Sequence, residues 1–403
     1  MPFPLSMILC TILSLRMYAA DKLVPPNGKI VFGAWLDTSS GPVSGGDSHA
    51  AFNRRIGFNT GSFQLWQDLP PRPPKVDTDL GNHNSDGTIK LSVLDDGTTA
   101  SLFLTIYPLD MNIITDAHIT DLANQCNEIK KTTWRDVYVR LGPEMNGEWF
   151  TYGNQPEAFL DLWRRAYTIL SKVSPHVAMV WSPNYNGPPN REPYDIYWPG
   201  ADYVDWVGIS VYWKGLASEY PWVRNLESPS DFVAQLIDAK GPEGGPVSFY
   251  QEYAVKYNKP MVIAESAAAF HVGTVDGTGK ESPLDVGVGR TKTAMSFWNS
   301  FLFNPDFFKQ YPLVKMVFCF EMYKIEDMDT MNDYRATLDS DTLVAFVHGL
   351  KQLDANGVVA WASQSARVQS GKRDGNGEGK EKKSSGLSLM FDVFIVSVLS
   401  FFL

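Results

Sequence analysis

Eight short runs rich in β-branched and aromatic residues recur along the chain, and stretches with helical periodicity separate them. The runs are residues 29–37, 62–69, 100–110, 136–144, 177–184, 202–213, 260–269 and 314–323. Each is bounded by turn residues or prolines, as strands are. Between them, residues 119–134 place Ile119, Leu122, Ala123 and Cys126 on one face, and residues 155–173 repeat apolar side chains every three or four positions. Residues 248–258 and 290–304 fit the same scheme, and 338–357 read as a closing helix. Strands alternating with helices imply a parallel sheet. Eight such units in this length predict an α/β fold, a (β/α)8 TIM barrel. A doubly wound open sheet is the alternative, but no glycine-rich phosphate motif follows any run.

Only then does composition add something. The net charge of −10 over 403 residues, with no basic cluster in the body, excludes a nucleic-acid binder and suits a neutral polymer. The three cysteines (Cys10, Cys126 and Cys319) make no disulfide framework. The six histidines form no H-x-x-x-H pair, so metal-dependent hydrolysis finds no support and no metal is expected.

The ends predict processing. Residues 1–20 carry an apolar stretch and Ala19–Ala20, as a secretory signal peptide does. The barrel is expected over 21–362, a disordered polar stalk over 363–385, and an apolar tail over 386–403. Small residues, a polar spacer and a terminal apolar tail are the parts of a glycosylphosphatidylinositol-anchor signal. Asp392 inside the tail argues against a stable membrane span. A cell-surface or cell-wall location follows as an expectation; the oligomeric state does not.

A barrel of this kind performs chemistry at the C-terminal ends of its strands. The acids expected there are Asp37, Glu144, Glu265 and Glu321. Glu144 and Glu265 fall at the ends of the fourth and seventh strands, facing each other across the mouth. Two such carboxylates can divide the work on one acetal bond, one as proton donor and one as nucleophile. The bland alternative is a buried Glu held by an Arg.

The segment YVRLGPEMNGEWFTYGN (138–154) resembles the acid/base segment of glycoside hydrolase family 26, the β-mannanase family. WSPN (181–184), YVDWVGISVY (203–212) and KPMVIAES (259–266) resemble three further segments of that family, in the same order and spacing. The resemblance covers roughly residues 29–325. It implies a retaining glycosidase without a cofactor, acting on β-linked polysaccharide, β-1,4-mannan first. Mixed-linkage β-glucan and β-1,3-xylan are the family's other substrates. It implies Glu144 as general acid/base and Glu265 as nucleophile. Arg140, Asn146, Asn184 and Tyr212 would surround them, Trp149 and Phe150 would stack on sugar, and Phe320 would face the substrate. Two positions depart from the family: Pro143 stands where it has His, and Cys319 aligns with its strand-eight Trp, for which Phe320 or Tyr323 could substitute. Trp181 and Trp206 are expected in the core, and His271 either lines the cleft or serves as a loop residue. The competing class is a non-catalytic tethered glycan-binding or cell-wall protein on the same fold.

Overall fold

The computed structural model describes residues 22–38, 46–73, 81–186 and 193–365. The expected signal peptide, the anchor tail and nearly all of the expected stalk lie outside the described residues. Eight parallel strands close into a barrel: β1 (Val31–Leu36), β2 (Ser62–Asp68), β3 (Ser101–Tyr107), β4 (Val137–Leu141), β5 (Ala178–Trp181), β6 (Trp206–Trp213), β7 (Met261–Ala268) and, eighth in the ring, β10 (Val314–Glu321). All eight expected runs form strands. β10 pairs with both β7 and β1, which leaves the barrel without an edge.

Helices α1 (His49–Ile56), α2 (Asp116–Thr133), α3 (Pro156–Val173), α4 (Phe232–Asp238), α5 (Arg290–Asn299), α6 (Phe307–Gln310) and α7 (Ser340–Ala355) lie in the segments between and after the strands. In α3, Pro156 sits in the first turn, where its missing N–H costs nothing. The helix buries Phe159, Leu162, Trp163, Ala166 and Leu170 on one face. Trp163 also donates its indole N–H to the Tyr203 carbonyl at 2.7 Å. Truncating this side chain to alanine would cost about 3–5 kcal/mol. The expected helix at 248–258 is instead a single π-helical stretch, Tyr250–Val255.

Inside the barrel the side chains form layers. The bottom is apolar, with Phe103, Tyr138, Val180, Trp206, Val262, Met316 and Phe318 packed together. Residues 22–24 plug it, as Tyr138 and Trp206 donate to the Leu23 and Lys22 carbonyls at 2.6 and 2.7 Å. Trp181 is equally buried but belongs to the outer core, so both tryptophans are packing residues. Above the apolar floor comes a polar layer. Gln64 donates to Thr105 at 2.8 Å, and Arg140 donates to Ser210 at the same distance. The mouth of the barrel lies above that layer.

Four further strands were not foreseen from the sequence. β8 (Phe270–Val275), β9 (Glu281–Pro283), β11 (Tyr323–Glu326) and β12 (Thr330–Asp333) form an antiparallel sheet in the order β11-β12-β8-β9. β8 begins two residues after β7 ends, and β11 two residues after β10 ends. Two barrel strands thus run on into hairpins at the mouth. His271 ties this sheet to the end of β6, with its ring nitrogens 2.6 Å from Asn332 Oδ1 and 2.7 Å from the Lys214 carbonyl. It is a buried brace rather than a cleft residue.

At the bottom, the chain stays bonded to the barrel past residue 362. Ser363 N–H donates to Thr99 Oγ1 at 3.0 Å and Ser365 N–H to the Gly97 carbonyl at 2.8 Å. Residues 363–365, the first three of the expected stalk, thus lie against the barrel.

Candidate active site

β4 stops at Leu141, so Glu144 does not end a strand as expected. It lies in the tight turn that follows, with φ +54, a left-handed conformation uncommon for a residue with a side chain. Its N–H donates to the Ser182 carbonyl at 2.9 Å, and its own carbonyl accepts from Gly147 at 2.9 Å. Strain of this kind costs about 1–3 kcal/mol and is held only where the surroundings enforce it. Here the enforcement is local. The Trp149 ring lies so close over Gly147 that a Cβ there would approach it to 2.3 Å. That approach lets the indole N–H reach Glu144 Oε2 at 2.9 Å.

The other Glu144 oxygen accepts from Asn184 Nδ2 at 2.9 Å. Asn184 is held by Asn146, whose amide accepts from the Asn184 N–H at 2.8 Å and donates to its carbonyl at 3.0 Å. Asn146 and Asn184 are therefore buried braces for Glu144. Trp149 also has a role the sequence did not show, because it donates directly to a carboxylate. Phe150 lies flat on Tyr152, ring centroids 4.9 Å apart, with Tyr107 on another side at 5.4 Å.

Glu265 sits within β7, opposite Ser210 of β6, and not at the strand end. Arg140 donates to its Oε1 and Tyr212 to its Oε2. Arg140 is wholly buried and spends its other terminal nitrogen on Ser210. Burial pushes the Glu265 carboxyl above the ordinary carboxylate range; the Arg140 charge pulls it back, and the Glu144 charge pushes it up again. A buried guanidinium facing a neutral acid would be strongly unfavourable, which keeps the Arg140–Glu265 pair ionised. Sequential pairing from β4 to β7 brings Glu144, Asn184, Ser210 and Glu265 into one arc across the mouth.

The remaining acids are elsewhere. Glu321 ends β10, but its carboxylate accepts from the N–H groups of Ala336 and Thr337 at 2.9 and 3.2 Å and from the Thr337 hydroxyl at 2.6 Å. Burial pushes it up to about 7. It anchors the segment that leads into α7. Asp37 follows β1, its N–H donating to the Glu321 carbonyl at 3.2 Å.

Alternation along β10 resolves the Cys319 question. Phe318 belongs to the inner floor and Phe320 to the mouth, whereas Cys319 packs in the layer between barrel and helices. Phe320 is thus the inward residue, meeting Trp35 at 5.6 Å and Tyr212 at 5.4 Å. Tyr323 has already left the barrel, in β11.

Several mouth residues were missed. Trp35, Trp66, Tyr107 and Tyr334 join Phe320 and Tyr212 in an aromatic cluster around the opening. Trp35, Trp66, Tyr107 and Phe320 lie in the last three residues of their strands, a signal available once the strand bounds are known. Pro143 presents no polar side-chain atom, and its carbonyl already accepts from Tyr152 at 2.7 Å.

A family model described as Glycosyl hydrolase family 26 matches residues 105–267. The chain is 28% identical over 103 residues to a β-1,3-xylanase of Vibrio sp., covering 24% of this chain and 22% of that protein. It is 29% identical over 156 residues to a mannan endo-1,4-β-mannosidase of Bacillus subtilis, covering 36% of this chain and 40% of that protein. The matched segments thus span well under half the length of these relatives. Among solved structures, the endo-β-1,4-mannanase of Cellulomonas fimi superposes with a TM-score of 0.51 at 15% identity, covering 83% of this chain and 72% of that one. The catalytic domain of the endo-β-1,4-mannanase of Bacillus sp. JAMB-750 gives 0.51 at 13% identity, covering 83% and 87%. At such identities these two show the fold.

Proposed function

We propose that this protein is a retaining endo-β-glycanase, because residues 105–267 match the model of glycoside hydrolase family 26 and the chain folds as a (β/α)8 barrel. The observation that supports it most is the division of labour between two carboxylates. Glu265 is gripped at both oxygens by Arg140 and Tyr212, which holds its carboxylate in one orientation, as a nucleophile needs. Glu144 is held by Trp149 and Asn184, each on a different oxygen. Each oxygen keeps a lone pair that can carry a proton.

The reaction then takes two steps. Glu265 attacks the anomeric carbon while Glu144 gives its proton to the leaving oxygen, which forms a glycosyl ester on Glu265. Water next loses a proton to Glu144, attacks the same carbon and frees Glu265. The fixed donors around both acids stabilise charge without reorganising during the reaction.

β-1,4-Mannan is the first substrate to consider, since several relatives are named for it. β-1,3-Xylan is the second reading. The Vibrio relative carries that name, and Pro143 removes a polar side chain from the subsite. The deciding experiment measures reducing-end release on mannan, galactomannan, mixed-linkage glucan and β-1,3-xylan, with Glu265→Ala alongside. Release that disappears in the variant supports the reading. Binding without release on every polymer, unchanged in the variant, favours a glycan-binding protein instead. A lipid tether rests on the apolar terminal sequence, and release from cells by a phosphatidylinositol-specific phospholipase tests it.

A further inference from the structure

The polar side chains that hold the two acids are spent on protein atoms. Arg140, Tyr212, Trp149, Asn146 and Asn184 are all engaged with protein atoms. Pro143 offers none. On the strand next to β4, Tyr107 is the last residue of β3. Its ring is fixed by Phe150 at 5.4 Å and Trp66 at 6.1 Å, yet its hydroxyl has no partner among the described residues. The side chain is only partly buried. Thr105, two residues earlier on the same strand face, is already bonded to Gln64 at 2.8 Å.

The Tyr107 phenol stands within the electrostatic reach of both acids. Burial, and then the Glu265 charge, push its pKa well above the ordinary value, and Glu144 adds to this. The phenol therefore stays protonated and is a hydrogen-bond donor at every working pH. Tyr107 packs with Tyr212 and Phe320 in the aromatic cluster of the mouth, so its donor faces the space where Glu265 would attack the anomeric carbon and where the neighbouring carbon would lie. The hydroxyl on that carbon forms bonds that strengthen in the oxocarbenium-like transition state.

We propose that Tyr107 is a specificity-determining residue that holds the 2-hydroxyl of the sugar being cleaved, from the β3 side, in the subsite where Pro143 can make no such bond. The inference rests on the glycosidase reading above. It makes Tyr107 responsible for telling apart sugars whose 2-hydroxyls differ in orientation, as those of mannose and glucose do.

Tyr107→Phe keeps the ring and its packing and removes one oxygen. The purified protein and this variant are compared on an aryl β-mannotrioside and on its counterpart lacking the 2-hydroxyl on the ring next to the aryl group. If β-1,3-xylan is the better polymer, the corresponding xylosides replace them. The expected result is a loss of about 10- to 100-fold in kcat on the hydroxylated substrate with KM little changed, and near-equal rates on the 2-deoxy substrate. Equal losses on both substrates, or no loss on either, would overturn the proposal while leaving the glycosidase reading intact. A wild-type protein that cleaves nothing, with Glu265→Ala indistinguishable from it, overturns the glycosidase reading and the role of Tyr107 with it.

Discussion

Two sides of one barrel mouth are built differently. On the β4–β7 side, Glu144, Asn146, Asn184, Ser210, Tyr212 and Glu265 are tied to one another or to Arg140 and Trp149. On the β1–β3 side, Trp35, Trp66 and Tyr107 pack ring against ring, and their polar tips have no partner among the described residues. A side chain bonded to protein can hold a carboxylate in one orientation but has little left for a ligand. An unbonded tip on a rigid ring can recognise a ligand at small entropic cost. The first side thus fixes the chemistry, and the second is left to choose the sugar. The family match follows the same line. It spans the whole committed side, and of the three rings opposite it includes Tyr107 alone.

The comparison breaks most decisively at Glu265. Glu265→Ala should lower kcat by about 1,000-fold or more, and substitutions of Trp35 or Trp66 should not approach that loss; steady-state kinetics on the preferred polymer decides it. Next comes Arg140→Met. It leaves Glu265 buried without its counter-charge, so about 3–5 kcal/mol of stability should be lost, read by chemical denaturation. With the attraction of Arg140 gone, burial raises Glu265 further. The acidic limb of the kcat/KM profile should move to higher pH, whereas Tyr107→Phe should leave that limb in place.

Gly147→Ala probes how tightly the committed side is built. Its Cβ would push into the Trp149 ring and should displace the indole from Glu144, with a cost of about 1–3 kcal/mol and reduced kcat. Glu321 supplies a control outside both sides. Its carboxyl titrates near 7 in the folded protein against an ordinary 4.5, so the folded state binds that proton more tightly. The resulting stability is complete below pH 4.5 and is lost as pH rises through 7. Wild-type melting temperature should therefore fall across that window by an amount worth about 3 kcal/mol, and Glu321→Gln should flatten the fall. The kcat of Glu321→Gln at pH 6 should stay within about twofold of wild type, since the Glu321 carboxylate bonds to Ala336 and Thr337 and not to the residues that hold Glu144 or Glu265.

The length of the eight runs, their aromatic and β-branched content and the helical periods between them were enough to determine the barrel. Local physics accounts for this: strand and helix periodicities are properties of neighbouring residues. Glu144, Glu265, Arg140 and Tyr212 were also legible, because their segments keep the spacing of a known family. The tertiary structure alone decided which atoms meet. Arg140 and Glu265 lie 125 residues apart, and only closure of the sheet brings them together. Whether Cys319 or Phe320 faces inward depends on register, which a period of two leaves ambiguous by one residue. The same closure turned Glu321 away from the mouth, whereas the close packing of Trp149 over Gly147 aimed the indole at Glu144. It also left the Tyr107 hydroxyl, unremarkable in the sequence, without a partner among the described residues in the aromatic cluster of the mouth.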